Sequence, residues 1–437
     1  MLTLGSIPLD AAQLADIRKG TRLRARIDRN PELLARQVRD QLKKLFAAAS
    51  ESPGSSAAQY ARAAAAGDAL SALAGLPLID KFQLQGLYES FIDGRDRSSH
   101  FGIKTSGSTG VPMEAWFDHA YYVSNLANLR RILRACGVRF RPLAAGLMHV
   151  TAFRTGEVCS FVMPALDYSV YHHVRIHLSL WNSRSELVRF VAGEAPKVLG
   201  GLPSALDLLA GFVEAEGLAG QIRPRAVLSY SEALLPHIRA RLERVFAAPV
   251  YDEYGLTEVG GRVATECSAH AGFHVYAADY VVEAVDASGL PVPDGEEGEL
   301  VVTNLFSRTV PIVRYRTGDR GVLSSERCRC GSVSQRIVQL RGREITRFAL
   351  PGGGAYNPYD EFRVLLAQLP LRQFQMVQRA GGSLTLNYVA AQAVDGLAAA
   401  VELNAAVRRI HGKDLALRRR RRFDVSLRKF NSFQREG

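Results

Sequence analysis

Two groups of residues in this 437-residue chain have types and spacings suited to chemistry. The first is the run Thr105-Ser106-Gly107-Ser108-Thr109-Gly110, followed by Pro112. Glycines let successive backbone N–H groups turn into one concavity, and the flanking hydroxyls add donors, so the run suits phosphate oxygens. No Gly-Lys-Ser/Thr follows, so it is not a Walker A loop. Alone, the same composition equally suits a flexible turn. The second group is Cys267, His270, His274, Cys328 and Cys330. Three thiolates and one imidazole complete a tetrahedral structural zinc site. Either histidine can supply the imidazole, and reduced, half-buried thiols beside incidental histidines are the alternative. Cys136 and Cys159 have apolar neighbours and read as core.

Positioning such groups takes an extended scaffold. The length predicts two or three compact units, and 47% hydrophobic with 22% charged residues is an ordinary globular composition. Apolar residues at helical spacing predict a helical leader over about residues 1–90. From 145 to 260, strand-like runs (AAGLMHVTAF, VLGGL, AVLSYS) alternate with amphipathic helices, which implies an open α/β sheet with ligands at the strand C-termini. Residues 274–315 alternate apolar and polar side chains between turn signals and read as β-hairpin or barrel. After about residue 343 a smaller α+β unit begins, with a hairpin in FQMVQRAGGSLTLNYV and a following helix. No apolar run reaches the roughly 20 residues of a membrane span, so no membrane partner is expected. Neither a signal-like start nor a disulfide framework is evident, which predicts a cytoplasmic protein. Of the net charge of +12, a local excess of seven lies in residues 401–437, with Arg418–Arg422 its densest block. That block suits a polyanionic cofactor or a solvated face. Nucleic acid is disfavoured, because no helix-turn-helix, zinc-finger or aromatic-basic signature accompanies it.

The order of further motifs narrows the chemistry. After the Ser/Thr/Gly run come YDEYGLTE (251–258), RYRTGD (314–319) and RGRE (341–344). This ordered set resembles the adenylate-forming superfamily of acyl-CoA synthetases, peptide adenylation domains and luciferases. LPLIDKFQL (76–84), SYSEAL (229–234), ECSAHAGFH (266–274), GELVVTNL (298–305) and CRCG (328–331) are similar to its phenylacetate–CoA ligase branch. The resemblance implies an α/β fold: a large ATP- and acid-binding domain, 1–342, with α/β sheets and a β-rich subdomain, and a small mobile α+β lid domain, 343–437.

The resemblance also implies a reaction and its residues. A carboxylate attacks the α-phosphorus of ATP, releasing pyrophosphate, and the acyl-AMP then meets CoA to give a thioester and AMP. Because two anions meet, donors and a metal are needed rather than a protein nucleophile. Thr105 to Gly110 are expected to hold the β- and γ-phosphates, and Glu258 to bind Mg²⁺. Tyr254 is expected to stack on adenine, within the stretch that includes Gly255 and Thr257, with Glu232 and Ala233 along the adenine edge. Asp319 is expected to accept from the ribose hydroxyls, with Arg343 near phosphate or ribose. Lys429, in LRKFNSFQRE, is the expected adenylation lysine. Phe153 and Tyr230 are the candidates for contact with an aromatic acid, and Arg154 is a weaker one. The branch pairs a C…GxH element with CxCG, which favours His274 over His270 beside Cys267, Cys328 and Cys330. The sequence departs from the family at Arg428, where a glycine usually precedes the lysine, and at Ile345 and Thr346 in the hinge. Met113 and Glu114 stand where many members carry a lysine. The rival readings are transfer to a carrier protein or an amine, and a non-catalytic nucleotide-binding homologue. The state of assembly stays open, a homodimer included.

Overall fold

The computed structural model describes residues 10–51, 56–92, 100–104, 113–153, 157–177, 184–307, 310–343, 347–356, 358–367, 369, 371–390, 394, 397–421 and 433–436. They fall into two compact units. One comprises Met1–Gly146, Phe161–Val170 and Tyr251–Gly342; the other comprises Leu147–Ser160, Tyr171–Val250 and Arg343–Gly437.

The first unit opens with the expected helices. Asp10 and Gln13 form a reciprocal capping box at the start of Ala11–Ile27, which satisfies two otherwise orphaned N–H groups. Asn30 caps Pro31–Ser50, whose first-turn proline lacks only an N–H that no helix bond would use. Shorter helices follow at Ala57–Ala65, Ala69–Ala74 and Lys81–Ile92. Leu42, Leu45, Phe46 and Leu73 are buried together with Leu305 and Val313, so the helical leader shares a core with the β-rich segment. Burial of one such side chain contributes about 1.5–3 kcal/mol. Arg24 reaches Asp279 with two nitrogens, one at 2.8 Å, and Asn128 of the helix His119–Ala135 donates to the same carboxylate at 2.7 Å. A buried carboxylate held by three donors is a high-stakes anchor, because loss of any partner strands charge in the interior.

The strands of this unit lie in the order Tyr280–Val285, Glu297–Asn304, Tyr315–Ser324, Arg336–Arg343, Phe273–Val275, Gly261–Glu266, Val250–Leu256. Arg314, just before the third, binds the carbonyls of Ala74, Leu76 and Gly289 and the carboxylate of Glu283. It therefore acts as a structural hub within RYRTGD. A separate hairpin pairs Phe101–Lys104 with Glu114–Phe117 in antiparallel register, Lys104 opposite Glu114. The Ser/Thr/Gly run joins these two strands and lies outside the described residues.

In the second unit, Ala226–Tyr230, Val198–Gly201 and Ala145–Phe153 pair in parallel. Ser169–His177 comes next and Glu157–Met163 last. The helices Pro203–Ala215 and Pro236–Phe246 complete the strand–helix alternation predicted for this stretch and bury Leu206, Leu209 and Leu242 with Met148, Leu199 and Val227. The C-terminal segment carries a four-stranded sheet, ordered Ala416–Arg419, Leu384–Ala390, Leu371–Gln378, Phe433–Arg435. Its middle strands form the expected hairpin, and the helix Ala398–His411 buries Leu403 and Val407 on it. Leu235 borders both cores. Among the described residues no helix is long and apolar enough to cross a membrane.

Candidate active site and metal centre

Strands Val250–Leu256 and Gly261–Glu266 form a hairpin, and Thr257–Val259 is a single 3₁₀ turn at its tip. Gly255 permits close approach here, since a Cβ at that position would sit 2.6 Å from the carbonyl of Gly261. The turn carries Glu258, a buried carboxylate, and closes with only one backbone bond, Gly260 N–H to the Thr257 carbonyl at 3.2 Å. Three side chains hold its carbonyls. Tyr88 donates to that of Glu258 at 3.0 Å, Asn304 to that of Val259 at 2.6 Å, and Asn125 to that of Gly260 at 2.9 Å. Burial, with Glu258 nearby, pushes the Tyr88 phenol well above its usual range, so its hydroxyl stays a donor. None of these three was legible as a site residue in the sequence.

Two residues before the strand Val250–Leu256 ends, Tyr254 is buried, as is Asp319 on the strand Tyr315–Ser324, and the Tyr254 hydroxyl donates to Asp319 Oδ2 at 2.7 Å. Gly318 has φ +74°, and the Asp319 N–H donates to Thr317 Oγ1 at 3.0 Å. That tight turn sets the direction of the carboxylate. Two motifs about sixty residues apart thus meet through one hydrogen bond.

The cysteines meet as well. Cys267 follows Gly261–Glu266, His274 lies in Phe273–Val275, and Cys328 and Cys330 occupy the turn before Arg336–Arg343. The short central strand pairs with both neighbours, His274 opposite Thr265 on one side and Arg336 on the other. Sheet register therefore gathers the four residues, and their ligand atoms all lie within 4.8 Å of one another. Cys267 and Cys328 sulfurs are 3.8 Å apart, and Cys330 Sγ is 3.5 Å from His274 Nε2. A tetrahedral ion with bonds of about 2.3 Å to sulfur and about 2.0 Å to nitrogen requires nearly those separations. Burial, with Arg336 nearby, lowers the His274 pKa to about 4, so the ring is neutral, the form that ligates metal. His270 is not in the group: it stacks on Tyr251 at 5.5 Å, with φ +46°.

Residues 100–305 match a family model described as AMP-binding enzyme. A phenylacetate-coenzyme A ligase of Thermus thermophilus is 31% identical over 183 residues, 39% of this chain and 41% of that protein. One of Pseudomonas putida is 29% identical over 182 residues, 41% of each. The fold is similar to that of 2-hydroxyisobutyryl-CoA ligase in the postadenylation state in complex with 2-HIB-AMP, with TM-score 0.71 and 18% identity over 91% of this chain and 88% of that one. Over residues 100–305 the chain is thus similar to the AMP-binding enzymes. It spans about two fifths of the length of these curated relatives.

Other positions expected from the resemblance have plain surroundings. In the second unit, Glu232 accepts from the Ser204 N–H at 3.1 Å, which satisfies a first-turn amide of the helix Pro203–Ala215; Ala233 is exposed. The Tyr230 ring lies 5.4 Å from His149, which stacks on His173 at 4.8 Å. His149 Nδ1 meets the Tyr171 hydroxyl at 2.8 Å and His173 Nε2 meets Thr151 Oγ1 at 3.0 Å, so polar partners line this buried pair. Phe153 and Arg343 end their strands, and their side chains lie outside the description, as do Lys429 and Thr105 to Gly110. Cys159 corrects an expectation: it is exposed on the strand Glu157–Met163 rather than core, while Cys136 is half-buried. Arg418 and Arg419 occupy the outer strand of the C-terminal sheet with their side chains exposed.

Proposed function

We propose that the chain is an ATP- and Mg²⁺-dependent acid–thiol ligase that forms an acyl-AMP and then a CoA thioester. The observation that carries this reading is the buried Tyr254–Asp319 bond at 2.7 Å, made from the strand that leads into the Glu258 turn. Glu258, a hard oxygen donor, would hold Mg²⁺. When bound, the ion neutralises phosphate charge as pyrophosphate leaves. Asp319 would accept the ribose hydroxyls, since an ionised carboxylate only accepts, and the Tyr254 hydroxyl helps to orient it. Tyr254 would also offer its ring face to adenine.

In the first step the carboxylate oxygen of the acid bonds to the α-phosphorus while the bond to pyrophosphate breaks. In the second, the thiol sulfur bonds to the acyl carbon, AMP departs, and the thiol proton goes to solvent. Thr105 to Gly110 would donate to the departing phosphates, and Arg343 would meet phosphate or ribose. The names of the curated relatives, phenylacetate-coenzyme A ligases, favour an aromatic acid, with Tyr230 and Phe153 as its contacts. We assign Zn²⁺ to Cys267, His274, Cys328 and Cys330 on the fit of their separations.

Carboxylate-dependent ATP–pyrophosphate exchange across a panel of aromatic and aliphatic acids tests this. Exchange with at least one acid, and a CoA thioester by mass when CoA is added, are expected. Absence of exchange with every acid, despite tight ATP binding, refutes the ligase reading. Exchange without thioester refutes CoA as the acceptor.

A further inference from the structure

We infer that Tyr88, Asn125 and Asn304 form a positioning clamp that fixes the Glu258 carboxylate for Mg²⁺; this rests on Glu258 holding that ion, as proposed above. Their three bonds fall on the consecutive carbonyls of Glu258, Val259 and Gly260, and they come from three separate segments of the first unit: the helices Lys81–Ile92 and His119–Ala135 and the strand Glu297–Asn304.

The turn needs such support. It is one 3₁₀ turn with a single closing bond, and Gly260 and Gly261 follow it at φ +98° and +100°. Short 3₁₀ segments have poor hydrogen-bond geometry, and glycines at positive φ add backbone freedom. Magnesium tolerates neither, since it takes near-ideal octahedral geometry with bonds of about 2.0–2.1 Å. Each clamp residue is itself fixed. Asn125 Nδ2 also donates to the Tyr121 carbonyl at 3.0 Å, and its Oδ1 accepts from Arg262 N–H. Asn304 Oδ1 accepts from the N–H groups of Phe306 and Ser307 at 2.9 and 2.8 Å. Tyr88 is fully buried and packs its ring edge-on to Phe117 at 6.0 Å. The room beside Gly261 is equally tight, since a Cβ there would sit 2.9 Å from Asn125 Oδ1. Three rigid donors thus define one peptide path, and the Glu258 side chain leaves from its first residue.

A purely structural role predicts lost stability and no change toward the metal; positioning predicts the reverse emphasis. The experiment measures ATP Kd with and without Mg²⁺ on the full chain for the parent, Tyr88→Phe, Asn125→Ala and Glu258→Gln, with thermal melts alongside. Tyr88→Phe and Asn125→Ala are expected to cut the Mg²⁺-dependent gain in ATP affinity at least threefold, with metal-free Kd within twofold of the parent. Adding Tyr88→Phe to Glu258→Gln is expected to change nothing further, because the clamp acts through that carboxylate. A full gain in both clamp variants, with the gain lost in Glu258→Gln, overturns the clamp and leaves the metal assignment standing. A full gain in Glu258→Gln itself refutes the metal assignment and the clamp with it. If Asn125→Ala does not fold, Tyr88→Phe, which loses one hydroxyl, decides the matter.

Discussion

Asp319 illustrates how much a single carboxylate can be asked to do. It is buried and accepts the Tyr254 hydroxyl at 2.7 Å, and in the proposed site the same carboxylate would also accept from the ribose. Asp319→Asn keeps one acceptor for Tyr254 but replaces the second with a donor, which opposes a ribose hydroxyl that must itself donate. Loss of a hydrogen bond to a charged group is worth about 1.5–3 kcal/mol. The variant should therefore raise KM for ATP by roughly 10- to 100-fold with little change in Tm, because the bond to Tyr254 survives. An unchanged KM in the exchange assay would remove Asp319 from the nucleotide site. At this scale the three thiols stand out by residue type and spacing, whereas Glu258 and Asp319 are marked only by the resemblance of their ordered motifs to a known family. The sequence was silent on the Tyr254–Asp319 bond, since nothing local to YDEYGLTE or RYRTGD demands that they touch.

Elements whose side-chain periodicity matches their burial were readable, and those whose polar faces turn inward were not. The helices and strands of 145–250 follow from alternation of apolar period, and the C-terminal hairpin from AGG between two β-prone runs. The helix His119–Ala135 behaves differently. Ser124, Asn125 and Asn128 look like a solvent stripe, yet all three are buried, and Asn125 and Asn128 find partners far along the chain at Gly260 and Asp279. Buried polar groups must be hydrogen-bonded, and only the fold reveals with what. The histidine-rich strand Ser169–His177 is similar: neighbouring His172 and His173 point to opposite faces and both are buried, as in a strand covered on two sides. The cluster of Cys267, His274, Cys328 and Cys330 is likewise an element-scale property, built by sheet register. Cys330→Ser should abolish stoichiometric zinc in purified protein. A metal bound a thousandfold more tightly than its free concentration stabilises by about 4.1 kcal/mol. At about 2–4 °C per kcal/mol for a unit of this size, Tm should fall by about 10 °C. Chelation should reproduce that fall in the parent and add nothing in the variant. Metal-free parent protein with the same Tm would show four thiol and imidazole groups that merely pack together.

For the molecule as a whole, the two half-reactions proposed for it would make opposite electrostatic demands. Adenylation gathers negative charge at the α-phosphorus as the carboxylate arrives, and a nearby ammonium would stabilise that transition state more than the bound substrates. Thioester formation starts from an acyl-AMP whose pyrophosphate has gone, so the same ammonium has little left to offset. The chain concentrates positive charge toward residue 437, with an excess of seven over the last 37 residues, and Lys429 lies in that segment. Lys429→Ala should therefore separate the steps. Loss of one preorganised charge or donor at a reacting centre costs about 10²–10³ in rate. Exchange should fall by roughly that factor, while thioester formation from supplied acyl-AMP and CoA stays within a few-fold of the parent. Unchanged exchange would assign Lys429 to the solvated basic tail. Equal loss in both steps would point to damaged folding or to a shared binding role, which a melt on the same preparation distinguishes. Lys429→Arg sharpens the outcome further: Arg carries the charge in a planar fork rather than a compact point, so partial rescue identifies charge as the operative property. No rescue would mean that the position of a single ammonium decides the step.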